Sequence, residues 1–128
     1  MTPKPSDIVI DRDALDRMCA VLDTDTVLSL LEGFVEEMLD RSERLAAAAD
    51  AADDSTLGAE AHALKSAAGT YGARELADLC AGIERSCRDG APERGREAGL
   101  AAPALANRSA EAFSRWRSAR RDAPGPEG

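Results

Sequence analysis

The stretch that decides the fold is AHALKSAAGTYGA, residues 61–73 of a 128-residue chain. Together with the residues just before it, this stretch places apolar or small side chains at i, i+4, i+7 and i+11. That spacing is typical of a helix buried along one side. The residues of the stripe are Leu57, Ala61, Leu64 and Ala68. Gly72 lies just beyond the predicted helix, where a left-handed residue commonly ends a helix.

A second face of the same predicted helix has a different character. It carries the only histidine of the chain, a lysine one turn later, and otherwise small residues: Gly58, His62, Lys65, Ser66 and Gly69. A glycine inside a helix costs about 1 kcal/mol relative to alanine. That cost at Gly69 is understandable if the missing side chain clears a surface for docking. We therefore expect an exposed imidazole, with Gly58, Ser66 and Gly69 on the face that a partner protein approaches.

The rest of the chain predicts an all-α fold. Alanine is abundant, the aromatic residues are two Phe, one Tyr and one Trp, and no segment alternates with the period of a strand. We expect a short first helix with Leu15, Met18, Cys19 and Leu22 on its apolar side. Four longer helices are predicted over about 26–52, 55–70, 73–88 and 92–121, the last kinked or split at Pro103. Their lengths favour an antiparallel four-helix bundle with the short extra helix at its N-terminus.

The length fits a single domain. We place the helical bundle at residues 8–121. Residues 1–7 and the tail 122–128, which is rich in Pro and Gly, are predicted to be disordered.

Charge and composition exclude several classes of protein. A formal net charge of −8 disfavours nonspecific binding to nucleic acid. No apolar run is long enough to cross a membrane, and the N-terminus has no secretory signal. Three widely spaced cysteines do not predict a disulfide framework. Together these features indicate a cytoplasmic protein that acts neither on nucleic acid nor in a membrane.

Residues 61–84 resemble the motif of the histidine-containing phosphotransfer (HPt) domain. The chain reads His-Ala-Leu-Lys-Ser from His62, followed by a small-residue run, Gly72-Ala73, and Ile83-Glu84 downstream. The resemblance implies that His62 is phosphorylated on its outer ring nitrogen and that Lys65 steadies the phosphoryl group. It also implies that Gly69 lets a receiver domain approach. Ser66 stands where many members have glycine.

The resemblance further implies a place in a multistep phosphorelay. His62 would pass a phosphoryl group between receiver-domain aspartates, with response-regulator receivers and/or a hybrid histidine kinase as partners. No Gly-x-x-x-x-Gly-Lys-Ser/Thr nucleotide loop is present, so the chain is not expected to be a kinase. It needs no cofactor of its own, because Mg²⁺ is expected in the partner receiver. By resemblance the protein is a monomer.

Simpler interpretations of the same residues remain open. His62 alone could be an ordinary surface or core histidine, and Lys65 a solvated lysine. Cys80 and Cys87 fit a buried stripe better than a metal pair, and one histidine argues against a di-metal bundle. Two other functions are compatible with the bundle. One is a binding module that is never phosphorylated, and the other is a phosphate sink for a receiver.

A basic cluster near the C-terminus has two interpretations. The four arginines around Trp116 could form a patch for nucleic acid or membrane, but a solvated helix end is the simpler one, because cations suit the negative end of the helix dipole. The arginines are Arg115, Arg117, Arg120 and Arg121.

Overall fold

The computed structural model describes residues 9–122, and within that range it contains five helices and no strand. The helices are α1 (Arg12–Val21), α2 (Thr24–Asp50), α3 (Asp54–Tyr71), α4 (Arg74–Arg88) and α5 (Pro92–Asp122). The predicted all-α bundle with a short N-terminal helix is confirmed. The segment 1–7 lies outside the described residues. So does the predicted tail apart from Asp122, which is the last residue of α5.

Aspartates start the first three helices. The carboxylates of Asp11, Asp23 and Asp53 accept hydrogen bonds from backbone N–H groups in the first turns of α1, α2 and α3. At Asp23 the hydroxyl of Thr26 also donates, at 2.7 Å. These two bonds from Thr26 hold the pKa of Asp23 below its ordinary value. The helices therefore begin where the chain offers an acceptor to their free N–H groups.

The four long helices form an antiparallel bundle. Only residues 51–53, 72–73 and 89–91 connect them, and loops this short force each helix to run back along the previous one. Helix α2 packs on α3, α3 on α4, α4 on α5, and α5 returns to α2. The predicted stripe of α3 lies inside this ring, since Leu57, Ala61, Leu64 and Ala68 are fully buried.

Three aromatic rings pack against one another in the core. Phe34 of α2 stacks on Tyr71 at the end of α3, with ring centroids 4.6 Å apart. Phe113 of α5 meets Phe34 edge-on at 5.9 Å. Both geometries suit the aromatic quadrupole and add to the area that the rings bury. Because Tyr71 belongs to this cluster, the rings hold the C-terminal end of α3 in place. They thereby also hold the exposed side chains between Lys65 and Tyr71.

Helix α5 is uninterrupted across Pro103, so the predicted split is wrong. Proline removes only one backbone hydrogen bond, whereas Ala102 and Leu105 on either side of it are both buried. Tertiary packing of this kind supplies most helix stability in proteins and offsets the loss. One turn before Pro103, Gly99 allows α5 to pack close to α3, because a Cβ at this position would lie 2.9 Å from Leu57 Cδ1.

Helix α1 is attached to the bundle at two places. The backbone N–H of Asp11 donates to the carbonyl of Gly72 at 2.6 Å. Gly72 has φ +80°, the left-handed conformation predicted for the end of α3. On the other side, the indole N–H of Trp116 donates to Asp16 at 3.4 Å, and Arg120 approaches the same carboxylate. These contacts hold the N-terminal half of α1 against the end of α3 and the end of α5.

Candidate functional site

His62 lies on the surface of α3 with its side chain 69% exposed. The neighbouring positions Ala61 and Leu64 face the core, which leaves position 62 at the edge facing α4. Its Nδ1 atom lies 2.9 Å from Oε2 of Glu84, a residue of α4 that is 22 positions away in sequence. The ring is therefore anchored on one side and open on the other.

Glu84 binds two side chains at once. Its second oxygen, Oε1, lies 2.7 Å from Nζ of Lys65, while Oε2 holds the ring of His62. The ammonium group of Lys65, followed by the hydrogen bond to His62, lowers the pKa of Glu84, and partial burial opposes this shift. The carboxyl group is consequently ionised at neutral pH.

The contact with Glu84 decides which nitrogen of His62 carries the proton. An ionised carboxylate only accepts hydrogen bonds, so Nδ1 must donate. In the neutral ring the lone pair then belongs to Nε2. The residue thus combines an exposed imidazole with a nucleophilic outer nitrogen and a nearby ammonium group.

Two of the predicted docking residues share the open surface beyond His62. Ser66 and Gly69 are exposed on the next turns of α3. A Cβ placed on Gly69 would meet no atom within 4 Å. Packing within the protein therefore does not require a glycine at this position. Its effect is that no side chain protrudes from α3 there.

Gly58, the third predicted docking residue, is placed differently. It is half-buried, and a Cβ there would contact the side chain of Cys87 in α4 at 3.8 Å. The start of α3 runs close to the end of α4, so this position faces a neighbouring helix. The structure brings His62, Lys65, Ser66 and Gly69 onto one open surface and leaves Gly58 at its edge. A role of Gly58 in docking stays a prediction.

An apolar cleft of about 460 Å³ adjoins Gly69. Met18, Val21 and Leu22 of the α1 region line it on one side, and Gly69 and Thr70 line it on the other. Val21 is 84% exposed, and Leu22 is also exposed although its spacing predicted the buried side of the first helix. The reason is that α1 ends at Val21, so Leu22 leaves the helical register. The sequence motif does not specify which residues of the first two helices complete a docking surface, and the paired apolar residues before Asp23 were the only signal of this one.

Cys80 and the arginine cluster near the C-terminus, two other features of the sequence, have structural surroundings. Cys80 is fully buried, and burial raises the pKa of its thiol to about 12, as suits an inert core residue. Arg120 lies over the ring of Trp116 and pairs with Asp16, which supports the solvated helix end. Among residues 9–122 no group of three or more His, Cys, Asp or Glu side chains could hold a metal ion.

Comparison with known families gives one match. The family model of the Hpt domain matches residues 29–117, well over half of the chain. The matched range contains His62, Lys65, Gly69 and Glu84 but not α1. No curated protein and no solved structure gives a significant match. None of the described helices is long and apolar enough to span a membrane.

Proposed function

The chain belongs to the Hpt domain family, and from this we propose that His62 is the residue through which it transfers a phosphoryl group. Hpt domains are phosphotransfer modules of two-component phosphorelays that lack kinase activity and interact with receiver domains and histidine kinases. The proposal for this chain is more specific. His62 accepts a phosphoryl group from the aspartate of one receiver and passes it to the aspartate of another.

One observation carries this proposal: the ring of His62 is mostly exposed while its Nδ1 is already bonded to Glu84. Only Nε2 is then free to react, and a neutral imidazole is a good nucleophile near pH 7. A histidine kept for packing would be buried, and one kept for surface solubility would need no carboxylate from another helix.

The transfer step needs little from this chain beyond alignment and charge. The lone pair of Nε2 attacks phosphorus, the phosphorus–oxygen bond to the receiver aspartate breaks, and the electron pair stays on the carboxylate oxygen. Lys65 lies one turn from His62 and offers an ammonium group to the phosphoryl oxygens. Phosphoryl transfer depends mainly on such positioning and charge neutralisation. The Mg²⁺ ion that the reaction requires is supplied by the receiver.

The receiver docks on the surface beside His62. Gly69 and Ser66 let its backbone approach, and the cleft lined by Val21 and Leu22 receives an apolar patch. Contiguous exposed apolar side chains beside a cleft form the kind of patch that a partner covers. The protein acts as a cytoplasmic monomer, and response-regulator receivers and/or a hybrid histidine kinase are its partners. Nucleic acid is not among its partners, because a net charge of −8 disfavours binding to a polyanion.

A transfer assay tests the proposal. The protein is incubated with each phosphorylated receiver of the source organism, and bound label is assayed for stability in base and lability in acid. His62→Gln removes the only imidazole of the chain and should abolish labelling. Ser118→Ala is the control, because Ser118 is exposed on α5, outside the proposed docking surface, and its loss should leave the label.

Each outcome has a distinct meaning. Label on His62 that passes to a second receiver supports the relay. Phosphate lost from the receiver as inorganic phosphate, with no downstream acceptor, identifies a sink. A stable complex without label identifies a binding module and contradicts the proposal.

A further inference from the structure

The apolar cleft beside Gly69 contains one charged side chain. Of the described residues that line it, Arg17 alone is charged, and the others are apolar or small apart from the hydroxyl of Thr70. The Arg17 side chain is 71% exposed. A partner that fills the cleft with apolar groups must therefore also meet a guanidinium group.

Arg17 is held only weakly within the protein. Its one ion pair with a described residue places Nη2 at 3.9 Å from Oδ2 of Asp11. A pair at this distance between exposed groups contributes little to stability, because water screens both charges. The other carboxylate oxygen of Asp11 already accepts a hydrogen bond from the backbone N–H of Asp13. The guanidinium group of Arg17 is therefore available to a partner.

The position of Arg17 on α1 places it next to the apolar group that a partner covers. Arg17 and Val21 are four residues apart, so they are neighbours on the same face of the helix. Val21 is 84% exposed and belongs to the lining of the cleft. A surface that covers Val21 also removes water from the guanidinium group one turn away. Burying a charge costs free energy unless a group of the partner pairs with it.

We propose that Arg17 is a specificity-determining residue, which selects receivers that present a carboxylate beside the apolar patch that enters the cleft. The inference rests on the proposed function, because it concerns how the receiver docks. A receiver with a lysine there meets a like charge, and one with an apolar side chain leaves the guanidinium group unpaired. Both mismatches raise the free energy of the complex, and discrimination against wrong partners commonly depends on such penalties. Arginine suits this role because its planar group binds a carboxylate through two parallel hydrogen bonds.

The charge of the rest of the chain makes this attraction local. With 24 acidic residues against 16 basic ones, the protein as a whole repels an acidic partner. Lys65, which lies on the same surface as Gly69, already pairs with Glu84 at 2.7 Å. Arg17 therefore offers a carboxylate an attraction that the net charge does not. Charge complementarity of this kind contributes to specificity and orientation more than to affinity.

The expected effect of Arg17 is on docking and not on the transfer step. Gly69, which borders the cleft, is seven residues from His62 on α3, or about 10 Å along the helix. The cleft is thus a separate part of the surface from the reacting nitrogen. A change at Arg17 should raise KM for the receiver and leave kcat unaltered, as expected of an interaction made equally in the ground and transition states.

Charge reversal tests the proposal. Arg17→Glu and Arg94→Glu change the net charge equally, but Arg94 is exposed in the first turn of α5 and does not line the cleft. With a receiver that labels the wild type, Arg17→Glu should raise KM roughly tenfold at constant kcat, and Arg94→Glu should stay within about twofold. The difference should shrink in about 1 M salt, where the Debye length is about 3 Å. If Arg17→Glu does not fold, Arg17→Gln, which only removes the charge, should raise KM roughly threefold.

A charge swap on the receiver identifies the carboxylate. Each exposed Asp and Glu around the phosphorylated aspartate of that receiver is replaced by Lys in turn. One replacement should raise KM with the wild type and restore a low KM with Arg17→Glu, a rescue that a merely structural role of Arg17 does not produce. Equal KM values in Arg17→Glu and Arg94→Glu, a fall in kcat, or a loss that no replacement restores overturns the proposal.

Failure of the proposed function gives a different result. If the wild type accepts phosphate from no receiver, that function is wrong, and titration of the same receivers then measures Kd in place of KM. A receiver that binds the wild type, and binds Arg17→Glu about tenfold more weakly, supports the role of Arg17 in docking. Absence of binding to every receiver overturns both proposals.

Discussion

The backbone N–H of Asp11 donates to the carbonyl oxygen of Gly72 at 2.6 Å, which joins the start of α1 to the turn that ends α3. The approach is so close that a Cβ on Gly72 would lie 2.6 Å from the Asp11 carbonyl oxygen. This turn therefore both ends the helix that carries His62 and fixes the helix that carries Val21. The proposed docking surface depends on a glycine that lies outside it.

Gly72→Ala should destabilise the protein and loosen α1. The left-handed backbone at φ +80° costs a residue with a Cβ about 1–2 kcal/mol, and the clash with Asp11 adds to this. Urea unfolding measures the loss, and amide exchange shows whether α1 is released. Gly90→Ala is the control, because Gly90 has φ +74° but no atom within 4 Å of a Cβ. Equal losses in the two variants would show that the contact with Asp11 contributes nothing.

A bulky residue at position 69 should slow phosphoryl transfer without unfolding the protein. Gly69→Leu fits the free protein, since nothing lies within 4 Å of a Cβ there, but it projects into the space assigned to the receiver. A misplacement of the reacting groups by about 1 Å can cost as much as a hundredfold in rate. The transfer rate and the unfolding midpoint are measured together. Gly33→Leu is the matched control, because a Cβ on Gly33 of α2 would also meet no atom within 4 Å. This variant should transfer phosphate at the wild-type rate.

Charge at the end of α1 should weaken receiver binding. Val21 is 84% exposed in the free protein, and burying such a side chain contributes about 1.5 kcal/mol or more, so Val21→Asp should raise Kd roughly tenfold. Titration calorimetry against a receiver that exchanges phosphate with the protein gives the value. Leu100→Asp provides the comparison, because Leu100 is 55% exposed on α5, outside the proposed surface. An equal effect of the two substitutions would remove α1 from the docking surface.

The ion pair between Asp54 and Arg96 should make stability depend on pH in acid. Arg96 donates to both oxygens of Asp54, at 2.8 and 2.7 Å, and these bonds lower the pKa of Asp54 from its ordinary 3.8. The folded state then binds fewer protons than the unfolded state. The contribution to the free energy of unfolding is complete above the ordinary pKa and is lost as pH falls through the lowered one.

This dependence is checked by urea unfolding between neutral pH and pH values below that range. Asp54→Asn should lower the unfolding midpoint at neutral pH and make its decline in acid shallower. Arg96→Met should have the same effect, and the double variant should add little to either, because both substitutions remove one interaction. Additive losses would mean that the two residues stabilise the protein independently.

Most of the fold could be predicted from the spacing of apolar residues. Leu57, Ala61, Leu64 and Ala68 are buried as their helical period requires, and Gly72 ends α3 in the predicted left-handed conformation. The split at Pro103 was wrong because a local rule about one hydrogen bond does not include the packing on both sides. Rules about local sequence predict the structure correctly wherever tertiary packing does not override them.

The site could be predicted only in part. His62, Lys65, Ser66 and Gly69 lie on one helix, so their common surface follows from helical geometry. Glu84 belongs to another helix, and its distance to His62 depends on how α3 and α4 pack, which no local pattern specifies. Its place beside Ile83 in the family motif was the only signal. The exposure of the apolar side chain of Leu22 could not be predicted for a related reason, because it depends on where α1 ends.

The position of Trp116 has a practical consequence. The chain contains a single tryptophan, and its indole lies between α5 and Asp16 of α1. The tryptophan fluorescence of the protein, excited apart from that of Tyr71, therefore originates at the junction that holds α1 in place. Any partner that displaces α1 alters the surroundings of that one fluorophore, so association can be followed in real time on the unlabelled wild-type chain.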